Sequence, residues 1–275
     1  MLSAPESAPA DIHAACEAIE RQAFQDVFDA APSELRRALG WQVTEVEGAL
    51  VSIAAEAPSI LFNRTLDLGT ERPATREAVQ DICRRYREAG IGRFFLNVGG
   101  DAKPPALRDW LAEEGLQPQR RWMKFVRGPE PAPLADTVFR IGAVGTSECA
   151  AFGRVVADAF DLGEAAAGLI PPLVGRRGWH LYGAFAGDTL VATGALFLRD
   201  GIAYLDFGAT APAYRRKGAQ GALLAARLNA ARDLGAMAIF TMTGEAVPGD
   251  PQHSYHNIER AGFRPLHARE NYAPM

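Results

Sequence analysis

The stretch from Ile202 to Leu234 constrains the fold more than any other, because it reads as strand, basic glycine loop and helix in direct succession. Ile202-Ala203-Tyr204-Leu205-Asp206-Phe207 is a short apolar run of the kind that forms a strand, and Pro212 stops it from continuing. Tyr214-Arg215-Arg216-Lys217-Gly218-Ala219-Gln220-Gly221 follows, and Ala222, Leu223, Ala226, Ala230 and Leu234 then fall at helical spacing before Gly235 ends the helix. The N–H groups of the first helical turn have no intrahelical acceptor, and the positive end of the helix dipole lies there too. The junction is therefore a natural anion site. Glycines at 218 and 221 let the backbone approach a ligand with no Cβ in the way.

The loop is neither a Walker loop, which ends in Gly-Lys-Ser/Thr, nor a Gly-x-Gly-x-x-Gly dinucleotide fingerprint. Pro212-x-Tyr214-Arg215-x-x-Gly218-x-Gln220-Gly221 resembles the pyrophosphate loop of the GNAT acyltransferase superfamily, Gln/Arg-x-x-Gly-x-Gly/Ala after a strand. The family's second glycine falls on Gln220, with Gly221 one place late, so a slightly reshaped loop that keeps most of its N–H donors is expected. The resemblance implies an α/β (α+β) fold whose central sheet, mixed and mostly antiparallel, is flanked by helices. It implies acetyl-CoA as co-substrate, a primary amine as acceptor, direct transfer in a ternary complex and no metal. Cofactor contacts are then expected from Gly208, Ala209 and Thr210 beside a β-bulge. Further contacts are expected from Arg215, Arg216, Lys217, Gly218, Ala219, Gln220, Gly221 and Ala222 in the loop and helix start. Asn257 either reaches the cofactor or caps its own short helix.

Beyond Gly235 the element order continues as the resemblance requires: a buried strand at 237–242, a Pro/Gly/Asp loop, a helix at about 252–260, and Ala261-Gly262-Phe263. In many family members a tyrosine four residues before that glycine protonates the departing thiolate. Ile258 stands there in this chain. Tyr255, one turn earlier, is the nearest phenol, with Ser254 and His256 beside it, and it reads equally well as an ordinary half-buried tyrosine. For the base, Tyr204 and Asp206 share one face of their strand and Glu245 follows the next strand. Each acid reads equally well as a solvated or structural carboxylate.

Residues 136–200 supply the rest of such a domain: a strand at 137–141, Ser147 as an N-cap, and a helix at 148–160 with Ala150, Phe152, Val155, Val156 and Phe160 mostly inward. A hairpin follows at 179–185 and 190–198. The loop at 161–178 covers the acceptor in the superfamily; Leu169, Ile170 and Leu173 suit an acceptor with some apolar surface or simply a packed helix.

One such domain uses about half of 275 residues. The first half holds a faint copy of the second. Leu68-Gly69, a helix, Ala89-Gly90, a strand at 93–99, another helix and Glu114-Gly115-Leu116 parallel the order after Phe207. In place of the basic glycine loop stands Glu71-Arg72-Pro73-Ala74-Thr75-Arg76-Glu77, acidic at both ends, so loss of cofactor binding is expected there. The expected division is a degenerate domain at 1–128, a stiff proline-rich linker at 129–135 and a cofactor-binding domain at 136–275. Before the copy, residues 9–39 read as two helices, with Ile12, Ala15, Ile19 and Phe24 as an apolar stripe, followed by hairpin strands at 41–47 and 49–55. Arg64, in the apolar run 60–68, reads as a structural ion-pair partner or as a holder of an acceptor carboxylate.

A hydrophobic content of 48% suffices for two cores. A net charge of −4 argues against a nucleic-acid partner, and no apolar run approaches the length of a membrane helix. Cys16, Cys83 and Cys149 are widely spaced and odd in number, which indicates neither a disulfide framework nor a zinc motif. Residues 1–20 are acidic and amphipathic, unlike a secretory leader. A cytoplasmic enzyme, monomeric or homodimeric, is expected. Two other readings fit the same loop: a non-catalytic acyl-CoA sensor or scaffold, and a transferase of a different acyl group.

Overall fold

The structure, a computed structural model, describes Pro9 and residues 11–275; the rest of the acidic start read against a leader lies outside the described residues. In chain order the elements are α1 (Ile12–Ala30), α2 (Ser33–Ala38), β1 (Trp41–Val46), β2 (Ala49–Ala54), β3 (Arg64–Leu66), α3 (Arg76–Glu88), β4 (Phe95–Val98), α4 (Leu107–Glu113) and β5 (Leu116–Arg127). Then come β6 (Arg140–Ala143), α5 (Cys149–Phe160), two 3-10 turns at Glu164–Leu169 and Pro171–Leu173, β7 (Trp179–Ala186), β8 (Thr189–Arg199) and β9 (Ile202–Thr210). A 3-10 turn at Pro212–Tyr214 leads to α6 (Ala219–Asp233), β10 (Ala238–Gly244), α7 (His253–Arg260) and β11 (Arg264–Pro274). Among the described residues, no helix is long and apolar enough to cross a membrane.

By contacts the chain forms two compact units, neither contiguous in sequence. One joins the described residues up to Ala31 to Lys124–Leu266, and the other joins Pro32–Met123 to His267–Met275. We call them the C-unit and the N-unit. In the N-unit the strand order is β1-β2-β3-β4-β11-β5, so the chain's last strand lies between two strands from its first half. Here β3 and β4 pair in parallel, while β1–β2, β2–β3 and β4–β11 are antiparallel. The core gathers Val51, Leu68, Val79, Ile82, Tyr86, Leu96, Leu107 and Leu111 under α3 and α4. The apolar run at 60–68 yields only the three-residue β3, because Asn63 turns the chain: its side chain accepts from Ala54 N at 2.8 Å and donates to Ala57 O at 2.8 Å.

The C-unit's sheet runs from the end of β5 through β10-β9-β8-β7-β6. β6 to β9 are antiparallel and β9 pairs with β10 in parallel. Helices cover both faces. Lys124 reaches Glu20 on α1, whereas the ring of Phe125 meets Tyr255 on α7 at 4.9 Å, and adjacent strand residues point to opposite faces. α1 and α5 therefore share one face, and α6 and α7 the other. Under α6, Ala219 and Leu223 pack on Ala184, Val191 and Ala192. α5 begins at Cys149 with Glu148, not Ser147, as its N-cap, and that cap makes no side-chain bond to the helix; Glu148 accepts from Gly145 N instead. Ala150 and Phe160, expected inward, are exposed.

α1 differs from its expected apolar stripe. Its buried face is Cys16, Glu17, Ile19, Glu20, Ala23, Asp26 and Val27, which includes three acids. Each has a partner that the local pattern could not reveal. Lys124, fully buried, pairs with Glu20 and lies 3.6 Å from Glu17. Asp26 accepts from Arg176 Nε (2.6 Å) and Nη2 (3.1 Å), from Trp179 Nε1 (2.9 Å) and from Arg199 Nη2 (3.4 Å). Burial alone would raise the Asp26 carboxyl, but these hydrogen bonds and the charges of Arg176 and Arg199 outweigh it and hold it below 3.8. A depressed carboxylate stabilises the fold above its unfolded pKa and loses that contribution as pH falls through the folded value. Asp26→Asn is therefore expected to cost about 2 kcal/mol at neutral pH. The gap to wild type should close in urea titrations run at pH 3 and below; a gap independent of pH would contradict this.

Candidate functional site

β9 and β10 are register partners only at Ala238↔Ile202, Ile239↔Ala203 and Phe240↔Tyr204, yet both strands run on to Thr210 and Gly244. Beyond Tyr204 the two edges part. The parting coincides with an irregularity in the β8–β9 ladder: Ala195 faces Asp206 and Thr193 faces Ala209, so Phe207 and Gly208 oppose Gly194 alone. This is a β-bulge. It sits at Phe207–Gly208, slightly before the 208–210 position expected, and Phe207 takes the left-handed conformation, φ 51°. Three polar groups hold it. Asp206 Oδ1 accepts from Phe207 N at 2.7 Å, Thr193 Oγ1 donates to Phe207 O at 2.8 Å, and Arg227 Nη1 donates to Asp206 O and Ala195 O at 3.2 and 3.3 Å. Sequence reading missed Arg227. It is 2% exposed on the Ala/Leu-rich α6, and burial lowers its pKa to about 10, so it stays charged at neutral pH. Gly194 is small because a Cβ there would lie 2.6 Å from Arg227 Cζ.

Gly218 is the N-cap of α6, with φ 79°; no side chain caps this helix and no acid stands in its first turn. The amides of Ala219, Gln220 and Gly221 thus open toward the loop without an intrahelical acceptor. Arg215, Arg216, Lys217 and Gly218 are exposed, with Lys217 Nζ 5.4 Å over the Tyr214 ring. Ala219 and Ala222 turn their methyls to the sheet and are buried. Gln220 braces the loop with its side chain: Nε2 donates to Ala209 O (2.7 Å), Thr210 Oγ1 (3.0 Å) and Thr193 O (3.3 Å). What stands at the family's second glycine is therefore a strut to the bulged strand, and only its amide is left for a ligand.

The segment expected as a stiff linker is anchored along its length. Arg127 Nη2 donates to Glu130 O at 2.7 Å, Asn229 Oδ1 accepts from Ala132 N at 3.3 Å, and Thr137 Oγ1 donates to Lys217 O at 2.9 Å. Asn229, Gly221 and Gly218 lie along one stripe of α6, so the segment runs back along the helix to its start.

The catalytic candidates divide between the two faces. Tyr204 is opposite Phe197 and Asp206 opposite Ala195, and directly paired residues share a face. The Phe197 ring packs at a tilt against Trp179, 4.9 Å between centres, and Asp26 holds Trp179 from α1. Tyr204 (2% exposed) and the half-buried Asp206 therefore face α1 and α5. Tyr255 sits on the α7 side, half-buried; burial, then the charge of Glu259, raises its phenol above 10. Ile258 is buried, Asn257 Oδ1 accepts from Arg260 Nη2 at 2.6 Å, and the half-buried Glu245 follows β10. The cysteines are all buried, and burial raises the Cys83 thiol to about 12. Among the described residues, no group of three or more His, Cys, Asp or Glu is placed to hold a metal.

In the N-unit, β3-α3-β4 repeats the parallel strand–helix–strand geometry of β9-α6-β10, but the helix starts differ. Thr75 caps α3 by accepting from Ala78 N, and Glu77 sits in the first turn. Arg64 is buried, its guanidinium 5.6 Å from the centre of the Trp122 ring.

The Acetyltransferase (GNAT) family model matches residues 159–263, the span from the end of α5 to the turn after α7. No curated protein matches the chain. Among solved structures it is similar to a GCN5-related N-acetyltransferase from Kribbella flavida, at 16% identity over 96% of each chain with a TM-score of 0.65. It is also similar to one from Sphaerobacter thermophilus, at 18% identity over 97% of this chain and 93% of that one, TM-score 0.58. A tandem GNAT protein from the clavulanic acid biosynthesis pathway aligns over 98% of this chain and 96% of its own at 15% identity, TM-score 0.56. Identities this low speak for the fold alone, and the fold is matched over nearly the whole chain in each case. Residues 159–263, in the half that carries the glycine loop, thus match the Acetyltransferase (GNAT) family model, and the chain as a whole shares the fold of a tandem GNAT protein.

Proposed function

We propose that this protein is an N-acetyltransferase that binds acetyl-CoA in residues 136–275 and passes the acetyl group directly to a primary amine. The observation that carries the proposal is the start of α6, which is uncapped and free of acids, beside three exposed cations where β9 leaves β10. Such a helix start fits a pyrophosphate: the amides of residues 219–221 would bind it, and Arg215, Arg216 and Lys217 would neutralise it. The exposed bulge at Gly208, with Ala209 and Thr210, would meet the pantetheine arm, and a bulge amide would polarise the carbonyl. The thioester supplies the activated acyl group. Asp206 or Glu245 would accept the amine's proton, and Tyr255, whose raised pKa keeps it protonated at neutral pH, would return one to the thiolate. The gap between β9 and β10 would join the two faces on which these groups lie. The capped, acidic start of α3 supports a cofactor-free first half.

Isothermal titration with acetyl-CoA tests this. Wild type is expected to bind with micromolar affinity, and Arg215→Glu/Arg216→Glu to lose roughly 30-fold, about 2 kcal/mol. Absence of binding by wild type, or an unchanged Kd in the variant, would contradict the proposal. Ile258, together with the use of Asp206 Oδ1 in bracing the bulge, favours a second reading, an acyl-CoA sensor. Thiol release with a panel of amines separates the two, because a sensor binds without turnover.

A further inference from the structure

We infer that the C-unit carries a second ligand site, for an oxyanion group such as a carboxylate or phosphate, at the sheet edge where β6 ends and β7 begins. The inference does not rest on the acetyl-CoA reading. A cavity of about 410 Å³ opens there, walled by Ala143, Val144, Val174, Arg177, His180 and Tyr182 among others. No acid lines it. The side chains of Arg177, His180 and Tyr182 have no hydrogen-bond or ion-pair partner among the described residues, although His180 and Tyr182 are half-buried. Two residues apart on β7, they project to the same side of the strand. Half-buried polar groups are normally satisfied, so an imidazole, a phenol and a guanidinium left together call for an acceptor from outside.

The donors are in the right state for an anion. Burial holds the His180 imidazole below 6.5, so at neutral pH it still offers one N–H; burial, then the charge of Asp233, raises the Tyr182 phenol, which remains protonated. Arg177 contributes an uncompensated positive charge. The backbone that carries Arg177 and His180 is held in place, because Asp26, on the opposite face of the sheet, fixes the flanking Arg176 and Trp179, two further residues of the lining. Preformed donors lose little entropy on binding. The site is distinct from the basic loop. The register places them at opposite ends of the strands: the start of β7 at Trp179 pairs with Phe197, near the end of β8, whereas Thr210, where β9 gives way to the loop, pairs with Ala192 near the start of β8.

The test follows the ring signal of His180 by carbon–proton NMR, picked out from the five histidines by its loss in His180→Gln. Inorganic phosphate and succinate are titrated separately at neutral pH. A saturating shift with at least one of them is expected, weakened roughly tenfold by Arg177→Ala and retained in Arg215→Glu/Arg216→Glu. The stronger of the two names the source of the oxyanion. Shifts that fail to saturate with either anion, an unchanged Kd in Arg177→Ala, or loss of the shift in the loop variant would each overturn the inference.

Discussion

Lys124→Met is expected to destabilise the protein by about 4 kcal/mol, a large share of the 5–15 kcal/mol that typically holds a domain folded. Lys124 has no exposed surface; it pairs with Glu20, itself 1% exposed, and lies 3.6 Å from Glu17. Methionine replaces the stem's apolar contacts at similar volume, so packing is largely kept. What is lost is a buried cation paired with Glu20, and a carboxylate that loses such a partner in the interior must be rehydrated or protonated at a cost of several kcal/mol. The size of the effect should come from stranded charge and not from lost packing. Lys124→Met/Glu20→Gln therefore separates the two causes: it removes charge on both sides and should recover about half of the loss. Urea unfolding of wild type, single and double variants measures this. A single variant within about 1 kcal/mol of wild type would show that the cluster is already neutral or hydrated.

That cluster also marks the limit of sequence reading. A helix whose inward face carries Glu17, Glu20 and Asp26 does not look amphipathic along that face, and the stripe through Ile12, Ala15 and Phe24 was the stronger apolar pattern. The partners that reverse the reading stand 104 residues away at Lys124 and 150 away at Arg176. Likewise the end of α7 at Ala261-Gly262-Phe263 was legible, but not that His267–Met275 would join the N-unit, because where a helix ends is local and strand partnership is not. The strand–loop–helix at 202–234 was legible because its signals are local: Pro212 stops the strand, a glycine adopts positive φ, and apolar residues recur at helical spacing. Gln220 fell between these cases. Its departure from the family pattern could be read in the sequence, but its role as a brace required Thr193 and Ala209 in space.

Gly218→Ala is expected to cost several kcal/mol of stability and to abolish acetyl-CoA binding, although it removes no group proposed to touch the ligand. Two demands meet at this residue. Its φ of 79° is left-handed, and a Cβ would lie 2.0 Å from Asp136 O and 3.1 Å from its carbonyl carbon. Backbone cannot yield as a flexible side chain can, so either the segment carrying Asp136 detaches from α6 or the helix start shifts, and both displace the loop amides. Gly221 is under neither demand. Its nearest neighbour would be Ala135 Cβ at 3.6 Å, an ordinary contact, and alanine is favoured over glycine within a helix by about 1 kcal/mol. Gly221→Ala should therefore melt at or above the wild-type temperature. If the backbone at 221 approaches the pyrophosphate, it should still weaken acetyl-CoA binding, since the added methyl stands where the ligand would come close. Thermal melts and isothermal titration of both variants test the pair. A Gly218→Ala protein as stable as wild type would refute the close packing of the 136–137 backbone on the loop. A Gly221→Ala protein with unchanged affinity would move the pyrophosphate off the third residue of α6 and leave its contacts to residues 216–220.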